Sequence, residues 1–171
     1  MHDILDLATQ VGKTLREKGL MLATAESCTG GGVAQAITEI PGSSEWFDGG
    51  FIAYSNACKT EMLSVVAAEI AKYGAVSEEI ASAMASGALA NTQADVAIAT
   101  TGIAGPTGAV PGKPVGTVCI ACAANNRMYS DRNVFSGDRQ AVRQQTIVHV
   151  LQTLLKFLQD VPAKSLPKKA Q

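Results

Sequence analysis

The sequence is poor in charged, aromatic and histidine residues, and it has no excess of basic residues. Its 171 residues contain 14 Lys and Arg against 15 Asp and Glu, which gives a formal net charge of −1, and only two histidines. A general nucleic-acid-binding protein normally carries a surplus of positive charge, so this near balance argues against that class. No apolar run approaches the roughly 18 residues that a membrane-spanning helix needs. We therefore expect neither nucleic acid nor a membrane as a partner.

The sequence also lacks the signals of a secreted or metal-binding protein. Its first residues have neither the basic start nor the apolar core of a signal peptide, which predicts a cytoplasmic protein. The four cysteines are Cys28, Cys58, Cys119 and Cys122. Cys119 and Cys122 form a single C-x-x-C in a strand-like run, where a spacing of three puts the side chains on opposite faces. Without a second pair, the pattern favours reduced cysteines and no metal site.

What is present is a strongly apolar chain, 47% of it hydrophobic, that is long enough for one compact domain. Helical and strand-like patterns alternate early, and a hairpin pattern follows late. This order predicts an α/β fold: a single-domain three-layer α/β/α sandwich with a mixed, mostly parallel sheet, spanning residues 1–160 before a flexible tail at 161–171. The predicted helices are 3–18, 33–40, 56–65, 67–73, 77–91 and 136–160, and the predicted strands are 20–25, 50–54, 95–101, 115–124 and 128–135.

The chain is organised around the stretch 25–32, Ala-Glu-Ser-Cys-Thr-Gly-Gly-Gly, which is predicted to form a strand end, a tight turn and a helix start. Glycines let the backbone approach a ligand closely. The first turn of a helix has unpaired N–H groups that favour negative charge. A hydroxyl there would lie beside donors for a developing oxyanion. The alternative is that Ser27 or Thr29 merely caps the helix.

Polar residues follow three predicted strands. Glu26 and Ser27 follow the first, residues 54–56 follow the second, and residues 100–102 end the third. In a parallel sheet, ligands bind beyond the carboxyl ends of the strands. If the strands are neighbours, these residues converge on one crevice.

Few bases are available to activate a serine. His2 lies at the chain end, and His149 falls opposite the apolar stripe of the last helix, so it should face solvent. Lys59 remains. If Asn56 caps its helix, Lys59 lies near the third helical position, where the helix dipole lowers its pKa. Such a lysine can activate a serine, with Tyr54 as a proton relay. The alternatives are a surface lysine and an ordinary strand-end aromatic residue.

Two arginines form a candidate anion site. Arg139 and Arg143 are four residues apart at the start of the last helix, at the edge of its apolar stripe, which suits a phosphate or a carboxylate. The alternative is a pair of surface ion-pair residues. The glycine-rich loop 102–114 is long enough to cover a ligand. Its 108–113 segment has three residues between glycines where a P-loop has four, and its 102–108 segment does not match G-x-G-x-x-G, so we infer neither ATP nor NAD.

Six motifs together resemble the CinA C-terminal family, and the resemblance covers about residues 3–160. The motifs lie at 24–31, 54–56, 74–77, 101–106, 113–118 and 135–139. The resemblance implies a serine amidase without metal or cofactor. It also implies that the substrate is nicotinamide mononucleotide (NMN), whose carboxamide is hydrolysed to nicotinate mononucleotide and ammonia in pyridine nucleotide recycling.

Carried onto this chain, the family's catalytic residues fall on Ser27, Tyr54 and Lys59. The resemblance further implies a homodimer or higher homo-oligomer, for which the small-residue helix 78–91 offers a packing face. Because some family members have lost the deamidase activity, one alternative is a catalytically silent nucleotide-binding protein, and another is an amidase for a different small amide. The expected substrate-binding residues are Glu26, Cys28, Thr29, Gly30, Gly31, Asn56, Thr101, Gly102, Gly105, Arg139 and Arg143.

Overall fold

The computed structural model describes residues 3–165, within which six helices surround a five-stranded sheet. The helices are α1 (Ile4–Lys18), α2 (Gly32–Thr38), α3 (Asn56–Leu63), α4 (Ala67–Tyr73), α5 (Glu78–Ala90) and α6 (Arg139–Leu158). The strands are β1 (Leu22–Glu26), β2 (Phe47–Ile52), β3 (Val96–Gly102), β4 (Thr117–Ala124) and β5 (Arg127–Val134).

The sheet has the order β2-β1-β3-β4-β5. β1 pairs in parallel with β2 and β3, whereas β4 is antiparallel to both β3 and β5. Four strands therefore point the same way and β4 is reversed. Helices α1, α2 and α6 enclose a core on one face, and α3, α4 and α5 enclose a core on the other. The predicted three-layer sandwich with a mixed sheet is confirmed.

Two element boundaries near the site differ from the predicted ones. β2 begins at Phe47, after a 3₁₀ turn at Ser43–Glu45, and not at Gly50 as predicted. Asp and Gly are depleted in strands, so the segment Asp48-Gly49-Gly50 does not indicate that the strand begins before it. The cap of α3 is also one residue earlier than predicted. Ser55 Oγ accepts from the Cys58 N–H at 3.0 Å, so Asn56 is the first helical residue and not the cap.

The small residues of α5 pack inside the chain. The sheet face beneath α5 consists largely of alanines on β1, β3 and β4, and α5 presents Ala81, Ala85 and Ala88 to the same core. Small side chains on both surfaces let the helix and the sheet approach closely. This packing within one chain accounts for the small residues of α5 without a second subunit. The predicted homo-oligomer stays a prediction.

Gly87 allows α5 to pack against the end of α3. A Cβ atom at position 87 would lie 2.1 Å from the Leu63 backbone oxygen. We expect Gly87→Ala to cost about 2–3 kcal/mol of unfolding free energy, since backbone has to move to relieve the overlap. For a chain of this size that cost lowers the melting temperature by about 5–10 °C, measured by thermal denaturation. Gly49→Ala is the matched control because a Cβ at Gly49 meets no atom within 4 Å. Equal melting temperatures for the two variants would contradict this account of α5.

The cysteines lie as the C-x-x-C spacing predicted. Cys119 belongs to the core beneath α5 and Cys122 to the core beneath α6, and all four cysteines are free thiols. Between residues 3 and 165, no group of three His, Cys, Asp or Glu side chains is placed to hold a metal ion.

The predicted tail begins at residue 161, and its described part is attached to the domain. The Lys18 amine donates to the Val161 carbonyl at 2.7 Å, and the Lys164 amine lies 2.6 Å from Asp95 Oδ1. The rest of the predicted tail, 166–171, lies outside the described residues, as does His2. None of the helices in the described chain has the length and apolar character needed to cross a membrane.

Candidate active site

The candidate site lies at the carboxyl ends of β2, β1 and β3. Ser27 follows β1 directly, and its N–H donates to the Thr100 carbonyl of β3 at 2.9 Å. On the other side, the Ala53 N–H donates to the Glu26 carbonyl at 2.9 Å. These bonds continue the pairing past the ends of the strands. The three strand ends are therefore neighbours, as the crevice prediction required.

Ser27 and Lys59 form a buried pair in this crevice. Lys59 Nζ lies 3.1 Å from Ser27 Oγ and donates to the Tyr54 carbonyl oxygen at 2.9 Å. The Ser27 residue is 7% exposed and Lys59 is 1% exposed. Within residues 3–165, no carboxylate forms a salt bridge with Lys59. The lysine is thus buried without a compensating negative charge.

Burial is the main cause of a lowered pKa at Lys59, and the nearby Cys28 and Cys58 thiols oppose it weakly. Loss of hydration disfavours the charged ammonium form. The sequence predicted the same direction from the dipole of α3, but the dominant physical cause is desolvation. A neutral amine has a lone pair, so Lys59 can accept the Ser27 proton while the Tyr54 carbonyl holds one of its N–H groups.

Tyr54 approaches the pair through its backbone and not through its phenol. Its carbonyl oxygen lies 3.4 Å from Ser27 Oγ. The side chain points outward, is 56% exposed, and accepts a hydrogen bond from Arg139 Nη2 at 2.9 Å. The phenol bonds to Arg139 and, among the described residues, to neither Ser27 nor Lys59, so the predicted proton relay through it stays a prediction.

The side chains of Glu26 and Thr29 are buried and bonded to other parts of the protein. The Glu26 carboxylate is 2% exposed and accepts from the backbone N–H groups of Val33 and Ala34 at 2.8 and 3.0 Å. The Thr29 hydroxyl donates to Glu26 Oε1 at 2.6 Å and lies 2.8 Å from the Thr100 hydroxyl. In this structure both side chains are engaged within the protein, and their predicted substrate contacts stay a prediction.

The turn after Ser27 presents free backbone donors. Gly30 and Gly31 have φ angles of 59° and 93°, and the Gly30 N–H is already bonded to the Ser27 carbonyl. In contrast, the N–H groups of Cys28 and Thr29 donate to no oxygen atom among the described residues. Of the three N–H groups at residues 28–30, those of Cys28 and Thr29 are therefore the ones available to a developing oxyanion. Burial raises the pKa of the Cys28 thiol to about 12, so this side chain stays protonated.

The remaining strand-end residues have structural contacts. The Thr101 hydroxyl donates to the Ala75 carbonyl at 2.8 Å and fastens the loop before α5. Gly102 is needed for close packing, since a Cβ there would lie 2.7 Å from Val118 Cγ2 and 3.0 Å from the Thr117 carbonyl oxygen. Asn56 lines a small pocket between α3 and α4 and is not brought to the Ser27–Lys59 pair.

Arg139 and Arg143 connect the loops around the crevice to α6. Arg139 donates from Nη1 to the Gly105 carbonyl at 2.9 Å, in addition to its bond with Tyr54. Arg143 Nη2 donates to the Thr29 carbonyl at 3.1 Å. Each guanidinium has five N–H donors, so both retain donors for a bound anion. Both also line a cavity of about 1160 Å³ bounded by α1, α2 and α6, whereas Ser27 and Lys59 do not.

The sequence predicts that His149 faces solvent, but in the structure its ring contacts neighbouring side chains. Its Nε2 lies 2.8 Å from Asp131 Oδ2 and 3.0 Å from Asn133 Nδ2, and both of these side chains belong to β5. Thr100 was predicted at the crevice without a role of its own, and in the structure its hydroxyl contacts Thr29 and its carbonyl holds Ser27. The available signal was its position at the polar end of an otherwise apolar strand.

The fold and the site together define a three-layer α/β protein with a buried serine–lysine pair beyond its parallel strands. The chain belongs to the CinA C-terminal domain family, whose model matches residues 4–158.

Three proteins illustrate its relatives. The chain is 49% identical over 157 residues to "Nicotinamide-nucleotide amidohydrolase PncC" of Pseudomonas putida, an alignment covering 92% of this chain and 98% of that protein. It is 49% identical over 160 residues to the Escherichia coli K12 protein of the same name, covering 92% and 97%. A crystal structure of a CinA superfamily protein from Klebsiella pneumoniae superposes with a TM-score of 0.90 at 35% identity, covering 92% and 99%.

Proposed function

We propose that this protein is an amidohydrolase that converts NMN and water into nicotinate mononucleotide and ammonia. The observation that carries the proposal is the buried pair, in which Lys59 Nζ lies 3.1 Å from Ser27 Oγ. Two relatives at 49% identity are named as nicotinamide-nucleotide amidohydrolases, which supports both the reaction class and the substrate class.

Ser27 is the nucleophile and Lys59 is the base and acid in this proposal. Lys59 Nζ takes the hydroxyl proton as Ser27 Oγ bonds to the amide carbon. The protonated lysine then gives this proton to the leaving amide nitrogen, so ammonia departs and an ester to Ser27 remains. A water molecule attacks the ester, Lys59 again accepts and returns the proton, and nicotinate mononucleotide is released.

The free N–H groups of Cys28 and Thr29 are the proposed stabilisers of the negative oxygen that forms in both steps. They follow Ser27 directly in the chain and donate to no oxygen atom among the described residues. Such preset donors stabilise a transition state without reorganisation. Tyr54 contributes its carbonyl oxygen, which orients the Lys59 amine at 2.9 Å.

Arg139 and Arg143 are the proposed partners of the substrate phosphate. Their guanidinium groups lie on α6, tied to the Gly105 and Thr29 carbonyls respectively. Arginine suits phosphate because its planar array of donors matches two phosphate oxygens.

The phosphate assignment predicts that Arg139→Ala weakens NMN binding. We expect the KM for NMN to rise about 10- to 100-fold, the equivalent of losing one charge-assisted hydrogen bond, with a smaller change in kcat. Nicotinamide riboside has the same amide but no phosphate, so its kcat/KM should differ little between wild type and variant. The measurement is ammonia release from both substrates.

Arg16→Ala is the matched control, because Arg16 is an exposed arginine that pairs with Glu45 on another part of the surface. Its KM for NMN should equal that of the wild type. If Arg139→Ala impaired the riboside and the nucleotide equally, the phosphate assignment would be wrong even with the amidase activity intact.

A catalytically silent nucleotide-binding protein is the second candidate. It is favoured by the low exposure of Ser27 and Lys59 and by the Tyr54–Arg139 hydrogen bond at the edge of the crevice. Calorimetry with NMN, paired with the ammonia assay, separates the candidates. Heat of binding without ammonia release would favour the silent protein.

A further inference from the structure

We infer that Glu26 is a positioning residue for the proposed reaction, holding the turn that carries Ser27 and the two free N–H donors. The inference rests on the proposed function for its nucleophile but concerns a residue that does not touch the substrate. Glu26 is the last residue of β1, and its side chain turns back under the 27–31 turn to the first turn of α2.

The Glu26 carboxylate is held by three donors. Oε1 accepts from the Thr29 hydroxyl at 2.6 Å and from the Val33 N–H at 2.8 Å, and Oε2 accepts from the Ala34 N–H at 3.0 Å. The two N–H groups belong to the start of α2, where a negative charge interacts favourably with the helix dipole. One side chain therefore links the strand before the turn to the helix after it.

The Thr29 hydroxyl extends this link to β3. Since Thr29 donates its hydroxyl proton to Glu26, the Thr100 hydroxyl is the donor in the 2.8 Å contact between the two threonines. Thr100 also accepts the Ser27 N–H through its carbonyl. The turn is thus fixed at Ser27 by Thr100 and at Thr29 by Glu26 and Thr100 together. Between these fixed points lie the N–H groups of Cys28 and Thr29.

This arrangement explains why a carboxylate lies beneath a proposed anion-stabilising turn. The negative charge occupies the start of α2, whereas the N–H groups of Cys28 and Thr29 precede that helix and stay free. A loose turn would let these donors move by an ångström or so relative to Ser27 Oγ, a displacement that typically costs about 100-fold in rate.

The test compares Glu26→Gln with wild type. The amide keeps the length of the side chain but places an NH₂ group against an N–H donor, so the turn loses one of its attachments. We expect kcat for NMN to fall about 100-fold while KM stays within about twofold. Labelling of Ser27 by a fluorophosphonate, read by peptide mass spectrometry, should slow to a similar degree. Ser77→Ala, which removes the cap of α5 and no hydrogen bond to the turn, should leave both unchanged.

Thr29→Val provides a second variant that leaves the bonds from Glu26 to α2 in place. It removes the hydroxyl link alone, so we expect slower Ser27 labelling, and the double variant should be less impaired than the product of the two effects. A rise in KM with kcat unchanged would overturn the inference, as would a loss of melting temperature with unchanged kcat and labelling. If wild type is labelled but does not hydrolyse NMN, the proposed substrate fails, and the labelling rates still decide the role of Glu26.

Discussion

Ser27→Ala should lower NMN hydrolysis at least about a thousandfold while the protein stays folded. The variant removes the only atom that the proposed mechanism bonds to the substrate, and loss of an essential nucleophile costs several orders of magnitude in kcat. Binding should persist, because the proposed phosphate contacts on α6 are untouched. The measurement is ammonia release from NMN, with calorimetry to check that the variant still binds the nucleotide.

Ser44→Ala is the control for this experiment. Ser44 is an exposed serine in the 3₁₀ turn before β2, and its removal should leave the rate unchanged. Comparable ammonia release by wild type and Ser27→Ala would eliminate the serine mechanism. Loss of both turnover and binding would show instead that Ser27 holds the substrate.

Lys59→Met should reduce kcat by about a hundredfold or more, since positioned general bases contribute about 10²- to 10⁴-fold. Methionine has a similar length and no proton to exchange. Lys59→Arg should not restore activity, because a guanidinium stays charged and has no lone pair to offer. Lys72→Met, at an exposed lysine of α4, is the matched control and should be fully active.

The lowered pKa of Lys59 predicts how kcat/KM depends on pH. Only the neutral amine accepts the serine proton, so kcat/KM should rise with pH and level off above the lowered pKa of Lys59, below the ordinary value of 10.5. The rise of kcat/KM with pH should be absent from the residual activity of Lys59→Met. A wild-type profile that keeps rising through pH 10.5 would argue that Lys59 is not the base.

The free energy of unfolding should also depend on the protonation of Lys59. Between the lowered pKa and 10.5 the unfolded chain binds a proton that the folded protein does not, so the free energy of unfolding rises with pH across this window. Lys59→Met should lose that rise. The variant should also melt no lower than wild type at pH 7, because it no longer buries an amine without a carboxylate partner.

The fold could be predicted from hydrophobic patterns because most of its helices and strands have a recognisable apolar stripe or apolar run. The long helices α1 and α6 and the fully buried β3 were predicted close to their observed bounds. β2 was misplaced because its two glycines carry no pattern. The cap of α3 was misplaced by one residue because Ser55 and Asn56 are adjacent and both residue types cap helices well.

The site was predictable only where position along the chain determines position in space. Ser27 lies at a strand end and Lys59 one helical turn into α3, so their meeting follows from neighbouring strands. The direction of a side chain at a loop position does not follow in the same way. Tyr54 turns its carbonyl inward and its phenol toward Arg139. Glu26 turns to the start of α2, a contact that depends on the folded turn and that no periodicity encodes.

The central claim is that the amide carbon of NMN becomes bonded to Ser27 with Lys59 carrying the proton, and hydroxylamine trapping tests it most directly. Hydroxylamine competes with water for an acyl-enzyme, so we predict that added hydroxylamine diverts the product from nicotinate mononucleotide to its hydroxamate in the wild type. Ser27→Ala should form neither product. Ammonia release accompanied by the acid alone, at every hydroxylamine concentration, would contradict the account.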